Sequence, residues 1–514
     1  MDLSTLLYQD LGRKDLLDWE KTKRGWAKMM GKIVKSSEIL TAYRQLVKEN
    51  RIKPNLKLEN SLKIRKVRTL SGVAPFAVMM KPYPCPGQCI YCPLEKGMPK
   101  SYLSDEPAAA RAKKLNFNPK KQFIARMDQL KKIGHQPEKL QIIVIGGSFS
   151  AYPDSYKKSF LKAIFDAANS KVSKTIKQAQ RFNEKAKYRI IGLSVETRPE
   201  LITDKEIKLL RQYGVTKVQI GVQTLDDKIL KKIKRGHFIS DVVKVTQKLR
   251  DAGFKINYHI MPNLPGSTPE KDLKTAKDIF ADSRFRPDTV KIYPCVVVPG
   301  SELYHLWKQG KFQTYKDKDL INLLAKIKLA VPPYCRIDRL IRDIPKHWIK
   351  SGTKQSNLRQ IIKKKLEKEG KSCQCIRCRE VRDLSILNKK VRLKVRRYRA
   401  SGGEELFLSF EDKRFLFALL RLRFPGKKRL LFPVLKNAAI VRELQVFGEQ
   451  VPISKKVKNA SQHQSLGKKL VKKAEELSQK AGYNKLAIIS GAGVRNYYQK
   501  LGYKLEETYM VKWF

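Results

Sequence analysis

Short runs of apolar residues recur along the middle of the chain, separated by longer stretches with charged residues at helical spacing. The apolar runs occupy residues 73–80, 140–147, 188–196, 215–222, 254–261 and 289–294. Each run is nearly continuous, which is typical of strands that are buried on both faces of a parallel sheet. The pattern therefore predicts strands that alternate with helices in a parallel α/β sheet, either open or closed as a barrel.

Six strand–helix units predict a partial TIM-type (βα)6 barrel over residues 71–330, with its chemistry at the carboxyl ends of the strands. Residues 1–70 have a basic, helical pattern. Residues 331–400 break the alternation, predict a linker between two domains and include a basic segment that fits a strand. Residues 401–514 predict a separate α+β domain. We therefore expect an α/β and α+β multidomain protein.

The charge balance is strongly basic. The 514 residues include 109 Lys and Arg against 48 Asp and Glu, which gives a net charge of +61. This excess is spread along the chain and favours a polyanionic partner over a membrane surface. The sequence shows neither a cationic start followed by an apolar segment nor a run of 18 apolar residues. We expect a cytoplasmic protein that does not enter a membrane.

Six of the eight cysteines form two triplets. The first triplet, Cys85, Cys89 and Cys92, directly follows the first predicted strand. Clustered thiols in a cytosolic protein indicate a metal more often than a disulfide. Three cysteines on one loop can hold three irons of a 4Fe–4S cube and leave the fourth iron for a small molecule. A structural zinc site with a distant fourth ligand is the alternative.

The spacing Cys85-x3-Cys89-x2-Cys92 after the first barrel strand resembles the motif of the radical SAM superfamily. The resemblance implies a 4Fe–4S cluster whose unique iron binds S-adenosylmethionine. It also implies that reductive cleavage of this cofactor yields a 5′-deoxyadenosyl radical.

Residues at the ends of later predicted strands also resemble motifs of this superfamily. The resemblance implies that the turn at Gly146 and Gly147 receives the amino group of S-adenosylmethionine, because glycine permits close approach of the backbone. It assigns Glu196 and Gln223 to the same pocket. From the residues alone, an ion pair between Glu196 and Arg198 is an equal alternative.

The segment SQHQSLGKKL, residues 461–470, is a loop that runs into a helix whose free N–H groups would face an anion. It resembles the pyrophosphate loop of GNAT acetyltransferases, with Gln462 and Gly467 in place and Ser465 where the first glycine stands. The resemblance implies that acetyl-CoA binds this loop and the preceding strand, with Tyr497 and Tyr498 near the thioester. The residues that it assigns to acetyl-CoA are Glu443, Leu444, Gln445, Val446, Gln464, Ser465, Leu466, Gly467, Lys468 and Tyr497. A capped helix on a sheet with tyrosines in its core is the structural alternative.

A radical SAM barrel followed by a GNAT domain resembles the family of Elongator catalytic subunits, and the short Cys85–Cys89 spacing favours its archaeal or bacterial form. The resemblance implies an enzyme that acts on the wobble uridine of tRNA. In it, the radical removes hydrogen from the acetyl methyl group, the methyl carbon adds to uracil C5, and thioester hydrolysis leaves a carboxymethyl group. It assigns Lys139 to acetyl-CoA. It also implies the tRNA anticodon stem-loop as partner, with a homodimer or accessory subunits as the assembly. We expect the basic residues 1–70 to be a tRNA-binding segment.

The second triplet, Cys373, Cys375 and Cys378, has a C-x-C-x2-C spacing that resembles the zinc motif between the two domains of this family. We expect tetrahedral structural zinc there, with His347 or Cys335 as the fourth ligand. A second iron–sulfur cluster is the alternative.

Two other functions fit parts of the sequence. A protein lysine acetyltransferase would use the GNAT domain with a structural barrel, and Glu443 is the best-placed carboxylate base for it. An RNA-binding scaffold with degenerate sites is the non-enzyme alternative, but the intact cysteine triplets argue against it.

Overall fold

The computed structural model describes residues 2–13, 19–64, 69, 71–382, 391–426, 430–448 and 465–514. Its helices are α1 (Leu3–Arg13), α2 (Trp19–Met30), α3 (Ser36–Lys48), α4 (Leu56–Leu62), α5 (Pro107–Lys114), α6 (Pro119–Lys132), α7 (Asp154–Asn169), α8 (Ile176–Asn183), α9 (Asp204–Gln212), α10 (Asp227–Lys232), α11 (Ile239–Asp251), α12 (Pro269–Ala281), α13 (Glu302–Lys308), α14 (Asp317–Ala330), α15 (Leu358–Lys368), α16 (Ile376–Arg379), α17 (Leu466–Lys480) and α18 (Arg495–Gln499). Its strands are β1 (Val73–Met79), β2 (Lys139–Ile145), β3 (Arg189–Thr197), β4 (Lys217–Gln223), β5 (Lys255–Ile260), β6 (Thr289–Ile292), β7 (Arg336–Arg339), β8 (Arg392–Ala400), β9 (Gly403–Glu411), β10 (Leu416–Phe424), β11 (Ala438–Val446), β12 (Lys485–Ile488), β13 (Lys504–Glu506) and β14 (Tyr509–Trp513). Among the described helices, none combines the length and apolar character needed to cross a bilayer.

Strands β1 to β7 form one parallel sheet in which each strand lies beside its neighbours in the sequence. At least one helix separates every consecutive pair of these strands, as a parallel sheet requires. Strands β4 and β6 are buried along their whole length, as is typical of a parallel sheet covered on both faces. The predicted half-barrel is therefore confirmed.

The sheet has one strand more than the six apolar runs predicted. In β7, Arg336 pairs with Thr289 and Ile337 pairs with Val290 of β6. The barrel thus continues into the segment 331–400, which the sequence pattern assigned to a linker. Three of the four residues of β7 are charged, so this strand produces no apolar run.

Strands β8 to β14 form a second sheet in the order β13-β14-β12-β11-β10-β9-β8. The sheet is mixed, because β11 and β12 run parallel whereas β8, β9, β10 and β11 run antiparallel to one another. Helix α17 packs against β10 and β11. The predicted second α+β unit is confirmed as a second sheet with a helix, although the sheet begins at Arg392 and not at residue 401.

Helices α1 to α4 enclose an apolar cluster of their own, which includes Leu7, Ile39 and Leu46. Helix α3 contacts α6 of the barrel, where the Arg44 guanidinium donates to the carbonyl of Lys131 at 2.7 Å. The predicted N-terminal helical segment is thus attached to the outer layer of the barrel.

The two sheets meet through buried charged residues. Arg442 of β11 donates to both carboxylate oxygens of Asp288, which precedes β6, at 2.5 and 2.8 Å. The same guanidinium donates to Glu405 of β9 at 2.8 Å. Removing one partner from a buried ion pair leaves an uncompensated charge and costs about 3–5 kcal/mol. These contacts therefore fix the second sheet on the barrel.

Glycines allow the closest approach between the two halves. Gly491 lies against the backbone of Ile191 in β3, where a side chain has no room. A β-carbon on Gly493 would lie 2.6 Å from the β-carbon of Arg189 in the same strand. We call this contact the glycine seam.

Candidate active site

The first cysteine triplet lies on the loop that follows β1, at the carboxyl edge of the barrel sheet. Cys89 is buried, and Cys85 and Cys92 are half-buried. The thiols of Cys89 and Cys92 share a hydrogen bond. All three cysteines border one cavity, at the end of a parallel barrel where functional groups gather.

Two guanidinium groups contact the sulfur of Cys89. Arg198 Nη1 and Arg235 Nη1 each lie 3.4 Å from Cys89 Sγ. The hydrogen bond from Cys92 and the charges of Arg235 and Arg198 lower the pKa of Cys89 to about 3, against the opposing effect of burial. The same hydrogen bond raises the pKa of Cys92. Three cysteines of one loop that border one cavity fit a 4Fe–4S cluster.

The turn after β2 exposes backbone to the same cavity. Gly146 and Gly147 have positive φ angles of 121° and 86°. A β-carbon on Gly146 would lie 3.0 Å from the backbone nitrogen of Met80. Gly147 has open space around it and borders the cavity. Glycine at position 147 therefore leaves the main chain accessible to a ligand.

Glu196 of β3 also borders the cavity. Its carboxylate accepts hydrogen bonds from Lys291 Nζ at 2.7 Å and from the Tyr102 hydroxyl at 2.9 Å. Burial acts to raise the pKa of Glu196, but the charges of Lys291 and His259 and the hydrogen bonds from Lys291 and Tyr102 together lower it to about 2. The ion pair with Arg198 is absent from the described residues, because Arg198 pairs with Glu200.

Gln223 ends β4 with a φ of 70°, in the left-handed region. Its side-chain oxygen is buried and has no hydrogen-bond partner among the described residues. The residue borders the same cavity. A buried acceptor without a protein partner fits a site for a polar ligand.

One cavity of about 1270 Å³ joins the barrel to the second sheet. It begins at the cysteine loop, continues along lumen residues such as Ser194, Gln219 and Lys217, and reaches Gln445 and Phe447 near the end of β11. Sites for one small molecule usually enclose about 300–1,000 Å³. This cavity therefore has room for parts of more than one ligand.

The end of β11 lies opposite the start of α17. A β-carbon on Gly467 would lie 3.5 Å from the Val446 side chain and 3.9 Å from that of Leu444. Gln445 points to the cavity that reaches the cysteine loop. The structure thus brings together the β11 and α17 parts of the predicted acetyl-CoA set.

The remaining predicted loop residues are only partly described. Ser465 is exposed with a φ of 55° and precedes α17. Leu466 is buried, and Lys468 is exposed. Gln462 and Gln464 lie outside the described residues. The first N–H groups of the fifteen-residue helix that begins at Leu466 have no acceptor within the helix itself.

The two candidate tyrosines have different surroundings. Tyr497 is half-buried, and its hydroxyl lies 3.1 Å from the place of a β-carbon on Gly467. Tyr498 is buried and packs against Tyr503. Burial raises the pKa of both Tyr497 and Tyr498. Of these two tyrosines, Tyr497 is the one whose hydroxyl lies beside the start of α17.

Glu443 holds the second sheet to the barrel. Its carboxylate pairs with Lys255 of β5 and with Arg421 of β10. Burial acts to raise the pKa of Glu443, but these two charges lower it to about 2. A carboxylate in such pairs is a weak proton acceptor, so the surroundings of Glu443 do not favour the general base of a protein acetyltransferase.

Lys139 opens β2, at the edge of the barrel sheet opposite the cysteine loop. It pairs in the sheet with Arg189, the residue that Gly493 contacts across the seam. Burial lowers the pKa of Lys139. Lys139 therefore lies near the junction of the two halves, but it is not among the described residues that border the cavity.

The second triplet is more compact than the first. The sulfurs of Cys373, Cys375 and Cys378 lie within 4.8 Å of one another. Hydrogen bonds from the other two thiols lower the pKa of Cys378 to about 2, and Lys328 Nζ lies 3.6 Å from its sulfur. Three convergent thiols fit zinc.

Neither candidate for the fourth ligand contributes an atom to this group in the described residues. His347 is exposed, with its Nε2 3.0 Å from Asp105 Oδ2. Cys335 is buried, and its carbonyl accepts the N–H of Ile376 at 3.0 Å. Cys335 is thus the candidate that contacts the triplet segment.

Several residues that surround the predicted groups are not among the sequence-based predictions. Lys291 is a lysine within an apolar run, which is a detectable signal for a polar lumen. Arg235 follows three lysines in KKIKRGH, so nothing in its sequence surroundings distinguishes it. Tyr102 lies outside any strand, and only the fold brings it to Glu196.

Two family descriptions match this chain. Residues 83–279 match the radical SAM superfamily, and residues 287–368 match the Radical_SAM C-terminal domain. These matches cover the first cysteine triplet and β2 to β7.

Several known proteins are similar to the chain across most of its length. The tRNA uridine(34) acetyltransferase of Methanocaldococcus infernus is 43% identical over 467 residues, covering 88% of this chain and 87% of that protein. The Elongator complex protein 3 of Homo sapiens is 38% identical over 472 residues, covering 88% and 86%. A solved structure of the Methanocaldococcus infernus Elp3 with an N-terminal deletion superposes with a TM-score of 0.75 at 39% identity, covering 86% of this chain and 99% of that one.

Proposed function

Because this chain belongs to the family of tRNA uridine(34) acetyltransferases and Elongator complex protein 3, we propose that it modifies the wobble uridine of tRNA. The radical SAM match implies a 4Fe–4S cluster and S-adenosylmethionine. In the proposed reaction the acetyl group of acetyl-CoA provides the carbon atoms. The product carries a carboxymethyl group on uracil C5, and tRNA triggers hydrolysis of the thioester.

The barrel residues would hold the radical-forming group. Cys85, Cys89 and Cys92 would ligate the cluster, and Gly147 and Gln223 would contact S-adenosylmethionine. When bound, this pair of cofactors supplies a radical that can remove hydrogen from a C–H bond. Cys89 is buried and Cys85 and Cys92 are half-buried, so the chain would shield part of this group from water.

The second sheet would hold acetyl-CoA. Free N–H groups at the start of α17 would receive the pyrophosphate, and β11 would lie along the pantetheine arm. The Tyr497 hydroxyl would donate to the thioester carbonyl or position water beside it. Lys139 would contact acetyl-CoA at the junction of the halves.

The continuous cavity is the observation that carries this proposal. It runs from Cys89 at one end to Gln445 at the other. A reaction that joins an acetyl carbon to a base through a radical requires both sites to open into one space. Two independent activities would not need this connection.

Exposed basic residues support tRNA as the partner. Strand β8 presents Arg392, Lys394, Arg397 and Arg399 to solvent. Cationic side chains along one strand would bind the phosphate backbone, while the wobble base is flipped toward the cavity. A tRNA substrate also agrees with a cytoplasmic location.

We further propose that Cys373, Cys375 and Cys378 bind structural zinc, with Cys335 as the fourth ligand. Zinc would fix α16 next to β7. The role is structural because this triplet does not border the cavity among the described residues.

The test uses anaerobically reconstituted protein with tRNA and acetyl-CoA, with and without S-adenosylmethionine and reductant. We expect CoA release that requires tRNA, and a 5-carboxymethyluridine mass that also requires S-adenosylmethionine. Nucleoside mass spectrometry and a thiol assay measure the two products.

Acetyl transfer to a histone-like peptide without S-adenosylmethionine would instead support the protein acetyltransferase. Protein that binds tRNA but releases no CoA and alters no nucleoside would support the scaffold. Either result contradicts the proposed function.

A further inference from the structure

Two arginines direct guanidinium groups to one sulfur of the first triplet. We propose that Arg198 and Arg235 are positioning residues that raise the reduction potential of the cluster held by Cys85, Cys89 and Cys92. This inference rests on the cluster of the proposed function and adds a role for residues outside the ligand set.

The geometry is built for these contacts. Arg198 and Arg235 are 4% and 5% exposed, and each lies 3.4 Å from Cys89 Sγ through Nη1. The second terminal nitrogen of Arg235 donates to the Gly221 carbonyl at 2.7 Å. That of Arg198 donates to the carbonyl of Arg235. Each guanidinium group is therefore fixed both by the sulfur of Cys89 and by a backbone carbonyl.

Two glycines leave room for the arginines. A β-carbon on Gly221 would lie 2.5 Å from Arg235 Nη2. A β-carbon on Gly87, within the cysteine loop, would overlap the Arg198 guanidinium. The backbone on both sides of Cys89 Sγ thus accommodates these side chains.

The two positive charges are not equivalent. Arg198 forms an ion pair with Glu200, which offsets part of its charge. Arg235 has no carboxylate partner within 4.0 Å in the part of the chain that the structure describes. We therefore expect Arg235 to affect the cluster more than Arg198.

The positive charges of the two arginines determine the expected change in the reduction potential of the cluster. Reduction adds one electron from an external one-electron donor, and no bond of the protein forms or breaks. Hydrogen bonds to the cysteine sulfurs and nearby positive charges stabilise the more negative, reduced cluster. In a buried site this stabilisation is larger than in water. Removing a guanidinium should make the cluster harder to reduce.

The experiment is a potentiometric titration with dithionite, followed by electron paramagnetic resonance, on the anaerobically reconstituted full chain. The variants are Arg235→Gln, Arg198→Gln and Arg235→Lys. Arg339→Gln is the matched control, because Arg339 borders the same cavity but pairs with Asp343 at 2.7 Å. Iron and sulfide content are measured for every protein.

We expect the potential to shift to more negative values in Arg235→Gln, and by a smaller amount in Arg198→Gln. Arg235→Lys keeps the charge but loses the fork of donors, so its shift should be intermediate. The control should match the parent protein. Equal potentials in the parent and all three arginine variants would overturn this inference and leave the proposed function standing.

Two further outcomes also contradict the inference. Loss of the cluster in all three arginine variants, with unchanged circular dichroism, would assign the arginines to cluster assembly instead. A parent protein without any cluster after reconstitution would overturn both the inference and the cluster assignment.

Discussion

The two cysteine triplets have similar spacing but opposite surroundings. Cys85, Cys89 and Cys92 border a large cavity, next to two guanidinium groups. In the second triplet the three sulfurs converge within 4.8 Å, and none of its cysteines borders that cavity, although Cys378 is exposed. Spacing predicts that each triplet binds metal, but only the fold distinguishes the triplet that borders the cavity from the one that does not.

The largest expected difference between the two triplets is seen when one cysteine is removed from each. Cys89→Ser should reduce formation of carboxymethyluridine by at least about 100-fold, since loss of even an outer partner of a metal ligand costs about 10–100-fold. CoA release triggered by tRNA should persist, because Tyr497 and α17 are untouched. Nucleoside mass spectrometry and a thiol assay report the two activities. Retained modification in Cys89→Ser would refute the cluster assignment.

The matched variant in the other triplet should change stability first. Cys375→Ser should lower the Tm by on the order of 10 °C, because zinc binding contributes directly to folding. Differential scanning calorimetry measures the shift, and metal analysis measures the zinc. Treatment of the parent protein with a strong chelator should produce a similar decrease. An unchanged Tm with no zinc in the parent would rule out the structural role.

The second triplet also differs from the first in its link to the basic strand β8. Arg379 of α16 donates to Glu411 at 2.6 Å, and Glu411 also pairs with Arg396 of β8. Arg392 and Arg399 are exposed cations of the same strand. The double variant Arg392→Gln and Arg399→Gln should weaken tRNA binding, because two phosphate contacts are lost, and should leave the cluster of the first triplet unchanged. The slope of log Kd against log salt should decrease by about 2.

Lys500→Gln with Lys504→Gln is the control for this charge effect. Both lysines are exposed near β13, at the opposite edge of the same sheet. Filter binding at several salt concentrations gives the slopes. Equal slopes in the two double variants would show that β8 does not contact tRNA phosphates.

The smallest expected effect is a change in the pH dependence of stability. It concerns Glu443 of β11, which pairs with Lys255 of β5 and so joins the second sheet to the barrel. The pKa of Glu443 is lowered from 4.5 to about 2. The ion pairs of Glu443 with Lys255 and Arg421 together therefore stabilise the folded state above pH 4.5, and this contribution, roughly 3 kcal/mol, is lost as the pH falls toward 2.

Glu443→Gln should flatten the decrease in unfolding free energy between pH 5 and pH 2. Urea titrations followed by circular dichroism measure this dependence. Glu507→Gln, at an exposed turn, is the control. If the two variants show the same acid dependence, the pair does not contribute as described.

Much of the fold was readable from the sequence, because buried parallel strands produce continuous apolar runs. Strand β7 escaped because Asp338 and its neighbours are charged, and Asp338 pairs with Lys217 across the sheet at 2.6 Å. The motifs also indicated Cys89 and Gly147 from local spacing. The partners of Cys89 could not be predicted, since Arg198 and Arg235 are distant in the sequence and meet it only through the fold.

The glycine seam has a consequence for how the molecule can work. Where Gly491 and Gly493 touch β3, backbone meets backbone without a cushion of side chains. Hinge bending at such a contact would have to separate main chains directly, so the barrel and the second sheet form a stiff frame. A reacting group that passes from the second sheet to the barrel must therefore be carried by a long, flexible arm of the ligand, because the two halves of the protein do not move toward each other.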